Sequence, residues 1–156
     1  MPKIRTSKSK PPPEGWDEIE PELEDIQRRM RDAENESHDG KRKTESLWPV
    51  IRLDRERSRL IYDNFYTSKE ISRELYDWLI KEGWANQALI AKWKKPGYES
   101  LCCINCVVPS NHNQGGTCIC RVPKKDLDTD RIIECVHCGC NGCASGDAKR
   151  APLPNN

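Results

Sequence analysis

Nine cysteines fall between Cys102 and Cys143 and form three groups: Cys102-Cys103-x-x-Cys106, Cys118-x-Cys120, and Cys135-x-x-Cys138-x-Cys140-x-x-Cys143. The stretch that carries them has few large apolar residues and no aromatic one. Such a segment cannot bury enough surface to hold itself folded. A cross-link through sulfur has to supply what the apolar residues cannot. A two-residue gap between cysteines lets a tight turn aim both thiolates at one ion, with backbone N–H groups close to the sulfurs. Gly115, Gly116, Gly139 and Gly142 sit where such turns need them. A structural zinc site contributes roughly 10–16 kcal/mol in small finger peptides, enough to close the gap. All nine cysteines are therefore the metal-ligand candidates.

Three other chemistries of sulfur fit less well. Disulfides need an oxidising compartment. Met1 to Lys10 is basic and polar, and three prolines (Pro11 to Pro13) stand where a signal peptide would carry its apolar stretch. No apolar run approaches the roughly 20 residues that span a bilayer. These features point to a soluble intracellular protein with reduced thiols, and the cysteine number is odd. One iron–sulfur cluster needs four thiolates; nine exceed that, and no redox-partner motif accompanies them. A catalytic zinc keeps an open position and a nearby base, whereas Glu134 is the only acid beside a ligand candidate.

The ligand count bears on the number of ions. Two isolated four-thiolate sites would use eight cysteines and leave one idle. Three isolated sites need twelve ligands, and adding His112 and His137 to the nine cysteines gives only eleven. Three ions therefore require thiolates shared between metals. The adjacent Cys102 and Cys103 and the dense Cys138-x-Cys140 suit such sharing, which favours three Zn2+ ions. Two ions stay as the alternative, and a ligand role for His112 or His137 stays open.

The remaining sequence predicts helices. Ile19, Leu23, Ile26, Met30 and Ala33 mark one face of a helix over 16–35, with Pro21 read into its first turn. A second helix is expected from near Ser46 to about Phe65. Its middle, Arg52 to Arg59, alternates arginine with acid and reads as a solvated or RNA-facing surface. Thr67 and Glu70 form a capping box for a third helix, which Gly83 ends. A fourth helix covers 86–94, closed by Pro96-Gly97. Short apolar pieces at 104–108, 119–122 and 132–136 are long enough for strands. The expectation is a small mixed protein: a mainly α-helical N-terminal part of about four helices, then an irregular Cys-rich zinc-cluster module with short β pieces. The chain divides into a basic Pro-rich tail (1–15), a helical region (16–100), a zinc-cluster module (101–146) and a flexible tail (147–156). Lys3, Arg5, Lys8 and Lys10 in the first tail are candidates for a nuclear signal. Net charge is only +1, so any polyanion contact must come from local basic clusters. No phosphate-binding glycine loop and no nucleophile–base pair is evident, so no catalytic residue is assigned and the chain is not read as an enzyme.

Several stretches together resemble one family. These are KRKTESLW (41–48), ISRELYDWLIKEG (71–83), LIAKWKKPG (89–97), CICRVP (118–123) and IIECVHCGCNGC (132–143). They closely resemble the G-ten family of bud-site-selection pre-mRNA-splicing factors, over about residues 1–146. The resemblance implies a nuclear, non-enzymatic component of the spliceosome around its catalytic activation. Its implied partners are the large scaffold protein, nineteen-complex-related factors and snRNA, with pre-mRNA as a further contact, and neither a membrane nor a small-molecule substrate. It carries over all nine cysteines as zinc ligands and the basic tail as a nuclear signal. The candidates for RNA contact are Lys41, Arg42, Lys43, Lys92, Lys94, Lys95, Arg121, Lys124 and Lys125. The zinc module has cations but no aromatic platform, so phosphate and shape recognition is expected over base readout. The competing function is a zinc-dependent protein-interaction module of ubiquitin-ligase type, or another nuclear regulator. Cross-braced modules of the ligase type use longer gaps between ligand pairs and a histidine in mid-series.

Overall fold

A computed structural model of the chain describes residues 2–4, 6, 9–112, 116–127 and 133–145. Four α-helices carry the regular structure: α1 (Trp16–Glu34), α2 (Trp48–Tyr62), α3 (Arg73–Glu82) and α4 (Gln87–Trp93). The chain forms two compact units that do not follow chain order. One comprises Met1–Glu36 and Leu53–Ile90, the other Ser37–Arg52 and Ala91–Asn156. None of the described helices is long and apolar enough to cross a membrane.

The first unit is held by helix stripes. Trp16, Ile19, Leu23, Ile26 and Met30 are the buried positions of α1, spaced by threes and fours as one helical face requires. Asp17 and Glu18 lie at its positive end and Arg31 at its negative end. Pro21 is the sixth residue of α1, not part of its first turn, so its missing N–H removes the bond to the Asp17 carbonyl. Trp16 packs against the rings of Trp78 and Trp84, with centroids 5.0 and 5.4 Å away. Ile61, Leu75 and Leu79 are fully enclosed, each worth about 1.5–3 kcal/mol on leaving water.

Two sequence expectations change here. The third helix is capped by Ser72, whose hydroxyl accepts the Leu75 N–H at 3.2 Å. Thr67 instead lies in a π-helical turn (Asp63–Thr67) that extends α2. Glu70 and Ile71 both donate to the Asn64 carbonyl, which bends the backbone away from a helix before Ser72 can start one. Gly83 does end α3, in the left-handed conformation at φ 85°. The arginine–acid alternation of α2 is also not uniformly solvated. Arg57 is only 2% exposed; its guanidinium donates to Gln27 and Asp54 and lies 5.9 Å from the centre of the Trp84 ring. Burial lowers its pKa, and Asp54 offsets part of that. Ser58 is buried as well, and its hydroxyl accepts the Asn86 N–H, 2.9 Å away, at the start of α4.

The second unit contains short 3-10 turns at Ile104–Val107, Pro109–Asn111, Ile119–Arg121 and Lys124–Asp126. The short β pieces expected at 104–108, 119–122 and 132–136 are not there: no strand occurs among the described residues, and Ile132 lies outside them. In a strand, alternate side chains face opposite ways, so cysteines three apart would aim their sulfurs apart. Turning the backbone brings both sulfurs inward. Single backbone bonds take the place of ladders: Cys118 N–H to Cys106 O (2.9 Å), Cys135 N–H to Cys140 O (2.9 Å) and Cys143 N–H to Cys120 O (2.8 Å).

Candidate metal centre

All nine cysteines are buried and none is in a disulfide. Their sulfurs crowd together: Cys106 lies 3.3 Å from Cys102, 3.5 Å from Cys103 and 3.2 Å from Cys135, and Cys120 lies 3.7 Å from Cys102 and 3.5 Å from Cys143. Four thiolates placed about 2.3 Å from one zinc stand about 3.8 Å apart, so this spacing fits tetrahedral coordination. Three sets of four sulfurs each lie within 4.8 Å of one another: Cys102/Cys135/Cys138/Cys140, Cys102/Cys120/Cys140/Cys143 and Cys102/Cys106/Cys120/Cys135. Cys102 belongs to all three sets, and Cys120, Cys135 and Cys140 to two each. The sets overlap through common sulfurs, the arrangement that sharing thiolates between cations requires. Cys103 and Cys118 belong to none of them. Neither do His112 and His137, whose rings face each other edge-on at 5.3 Å and whose buried Nε2 atoms have no hydrogen-bond partner.

The crowding splits the thiols into two classes. Contact with Cys102 and then Cys103 lowers Cys138 to about 4. Contacts led by Cys102 also lower Cys106, Cys135 and Cys143. Cys102 itself is raised by Cys103 and Cys106, and Cys118 by Cys106. Cys103, Cys120 and Cys140 rise too, because the lowering contact with Cys102 is outweighed by other neighbours, Cys135 among them. Thiols must be deprotonated to bind a metal cation. Cation uptake by these sulfur sets therefore releases protons.

The loop geometry supports the centre. Gly139 adopts φ 73° and donates its N–H to the Cys135 carbonyl at 2.8 Å. The His137 N–H points to the Cys135 sulfur at 3.3 Å. Two residues that sequence reasoning did not single out close over this loop. The Trp48 indole N–H donates to the Val136 carbonyl at 2.9 Å, and Arg52 donates to the carbonyls of Cys138 (2.7 Å) and Gly139 (3.0 Å). Their spacing of four on a helix is the one sequence signal that they act together; nothing in the sequence says where they act.

The nine basic residues considered for RNA contact all belong to the second unit. Lys41, Arg42, Lys43, Lys94, Lys95, Lys124 and Lys125 are exposed, and Arg42 pairs with Glu45. The Lys92 ammonium lies 5.3 Å from the centre of the Tyr98 ring. Arg121 donates to the carbonyls of Gly97 and Cys143. In the first unit Lys3 and Lys10 line a cavity of about 310 Å³ with Trp78 and Lys81, while Arg5, Lys8 and the 147–156 tail lie outside the described residues.

Comparison with known proteins gives a match over nearly the whole chain. Residues 1–145 match the family described as "Pre-mRNA-splicing factor BUD31". Protein BUD31 homolog 2 of Oryza sativa subsp. japonica is 58% identical over 147 residues, covering 94% of this chain and all of the relative. Pre-mRNA-splicing factor cwf14 of Schizosaccharomyces pombe is 56% identical over the same share of both chains. Pre-mRNA-splicing factor BUD31 of Saccharomyces cerevisiae is 46% identical, again across 94% of this chain and all of the relative.

Proposed function

The chain belongs to the BUD31 family of pre-mRNA-splicing factors, and from that premise we propose that it is a non-enzymatic, zinc-stabilised structural component of the activated spliceosome. It works in the nucleus and docks on the snRNA core and on scaffold proteins. The observation that carries the reading is that the match spans the helices and the cysteine array together. The unit of recognition is then the whole fold and not an isolated metal-binding motif.

The nine thiolates hold three Zn2+ ions through shared sulfurs, and the overlapping four-sulfur sets support that count. Zinc bound only by thiolates has no open position for a substrate. Its role is to fix turns that contain no regular structure. The basic residues Lys41 to Lys43, Lys94, Lys95, Lys124 and Lys125 supply phosphate contacts, and the part of the chain that holds zinc offers no aromatic platform for stacking bases. Overlapping sets do not fit the well-separated sites of a cross-braced ubiquitin-ligase module. The basic start of the chain, with Lys3 and Lys10, serves nuclear import. Purification of activated spliceosomes from cells expressing a tagged chain tests the reading. Stoichiometric recovery of the tag with those particles is expected, and its absence from them would sink the proposal.

A further inference from the structure

Arg52 and Arg121 donate to backbone carbonyls of the Cys135–Cys143 segment, which holds two of the three Cys-x-x-Cys pairs, and Arg121 also to that of Gly97. Arg52 reaches the Cys138 and Gly139 carbonyls from α2, across 86 and 87 residues of sequence. Arg121 donates to the Cys143 carbonyl and lies 3.4 Å from the Cys143 sulfur through the same nitrogen, while its other terminal nitrogen donates to the Gly97 carbonyl at 2.6 Å. Both are partly buried, and neither forms an ion pair among the described residues. Beyond the carbonyls, Arg52 lies 5.7 Å from the centre of the Trp48 ring, and Arg121 lies 5.3 Å from that of Tyr98 and meets the Cys143 sulfur; with no carboxylate among these partners, the positive charge of each stays available to the thiolates. The sulfur array carries the opposite imbalance. Three dications held by nine thiolates leave a net charge of three minus, and two dications held by eight leave four minus. A buried excess of that size needs cations nearby.

We propose that Arg52 and Arg121 are the positioning residues of the metal cluster. They form a pair of guanidinium clamps that fix the backbone of the ligand loops and offset the surplus thiolate charge. The proposal rests on the reading of the cysteines as zinc ligands. It adds that metal retention depends on a helix far upstream in sequence. The planar fork of Arg52 bridges two successive carbonyls, which the single ammonium of a lysine cannot do in the same way. Trp48 completes the clamp by holding the Val136 carbonyl. Gly139 makes it possible, because a Cβ there would stand 2.7 Å from Cδ2 of Trp48 and 2.5 Å from Nη2 of Arg52. Partners that orient a metal ligand without touching the metal typically contribute about 10–100-fold in affinity.

The test uses the full chain purified with its zinc. Arg52→Met and Arg121→Met remove the charge and the fork while keeping a long stem and a good helix former. Arg52→Lys restores the charge alone, and Arg55→Met on the same helix controls for a general loss of positive charge. Each protein is challenged with a chelator, and its cysteines are alkylated at partial release and mapped by mass spectrometry. Arg52→Met is expected to give up zinc about 10–100-fold more readily, with Cys135, Cys138 and Cys140 modified first. Arg121→Met should expose Cys143 and Cys120 first. Arg52→Lys should fall between Arg52→Met and wild type, and Arg55→Met should match wild type. Release from Arg52→Met at the wild-type rate, or without preference among the cysteines, overturns the clamp. If Arg52→Met does not fold, Trp48→Phe decides, since it deletes only the indole donor to Val136. Early modification of Cys135 and Cys138 supports the clamp, and a wild-type map defeats it. A wild-type chain that carries no zinc defeats the zinc reading itself, whereas zinc-loaded chains with indifferent arginine variants defeat the clamp alone.

Discussion

In the unit formed by residues 1–36 and 53–90, the fully enclosed large apolar side chains among the described residues are Leu23, Ile61, Leu75, Leu79, Leu89 and Ile90. In the unit formed by residues 37–52 and 91–156 they are Cys102, Cys106, Cys120, Cys135 and Cys138, with only Trp93 and Leu101 as large apolar companions among the described residues. Carbon packed on carbon excludes water without any further condition. Sulfur packed on sulfur shields the cysteines from water as well, but a buried thiolate carries a charge that needs an opposite one nearby. The first interior is complete as folded. The second offers sulfur sets that could hold cations, and it puts Arg52 and Arg121 next to the loops that carry them.

The largest expected effect separates the two interiors directly. A chelator should release the amides of Cys118, Cys135 and Cys143 to hydrogen exchange, together with the first turn of α2, while the amides of α1 and α3 stay protected. The zinc contribution at stake is roughly 10–16 kcal/mol per structural site. Protection of those cysteine amides in excess chelator would erase the distinction. Leu75→Ala is next. It should cost about 2–5 kcal/mol in denaturant unfolding and leave the zinc content per folded chain unchanged; a parallel loss of zinc would mean that the two interiors are energetically one.

Gly139→Ala and Gly40→Ala form a matched pair. Both glycines have φ 73°, but nothing lies within 4 Å of a Cβ at Gly40, whereas Gly139 faces Trp48 and Arg52. Each substitution should cost about 1–2 kcal/mol for the left-handed backbone. Gly139→Ala should cost about 1–3 kcal/mol more for overpacking and should also weaken zinc retention. Equal costs would show that the Trp48–Arg52 contact yields freely.

How much of this was legible in the sequence differs between the two interiors for a physical reason. The α1 stripe and the Gly83 cap follow from local periodicity and local backbone chemistry: Ile19, Leu23, Ile26, Met30 and Gly83 appear where the sequence puts them, while Ala33 is only half-buried and Trp16 joins the stripe. The start of α3 depends on which of two hydroxyls caps it. The turn that follows α2 decides for Ser72 over Thr67, and that turn is not a local property of either residue. No β pieces form among the described residues, and apolar runs of four or five residues fit a strand and a turn equally well. The demand that cysteines three apart face one point decides for turns. Arg52 and Arg57 read as members of a solvated alternation, yet Arg57 is enclosed with Gln27 and Asp54, and Arg52 serves carbonyls 86 and 87 residues away. Long-range partners of this kind leave no mark on sequence spacing.

The smallest expected effect is a pH dependence confined to the first interior. Burial, and then the hydrogen bond with Tyr66, raises the Tyr76 phenol well above its ordinary value of 10.0. A raised folded-state pKa means a contribution that is complete below pH 10 and lost progressively as pH climbs above it. The denaturant midpoint of the helical unit should therefore hold steady from pH 8 to about 10 and fall beyond. Tyr76→Phe should flatten that fall. An unchanged alkaline slope in Tyr76→Phe would assign the effect elsewhere.

Elemental analysis of the purified full chain, expressed as metal per polypeptide, bears most directly on the shared-sulfur arrangement. Nine cysteines whose four-sulfur sets overlap through Cys102, Cys120, Cys135 and Cys140 should bind three zinc ions. Two ions would mean separate four-thiolate sites with an idle cysteine and no shared sulfurs. A chain that folds with no zinc at all would contradict the metal centre outright.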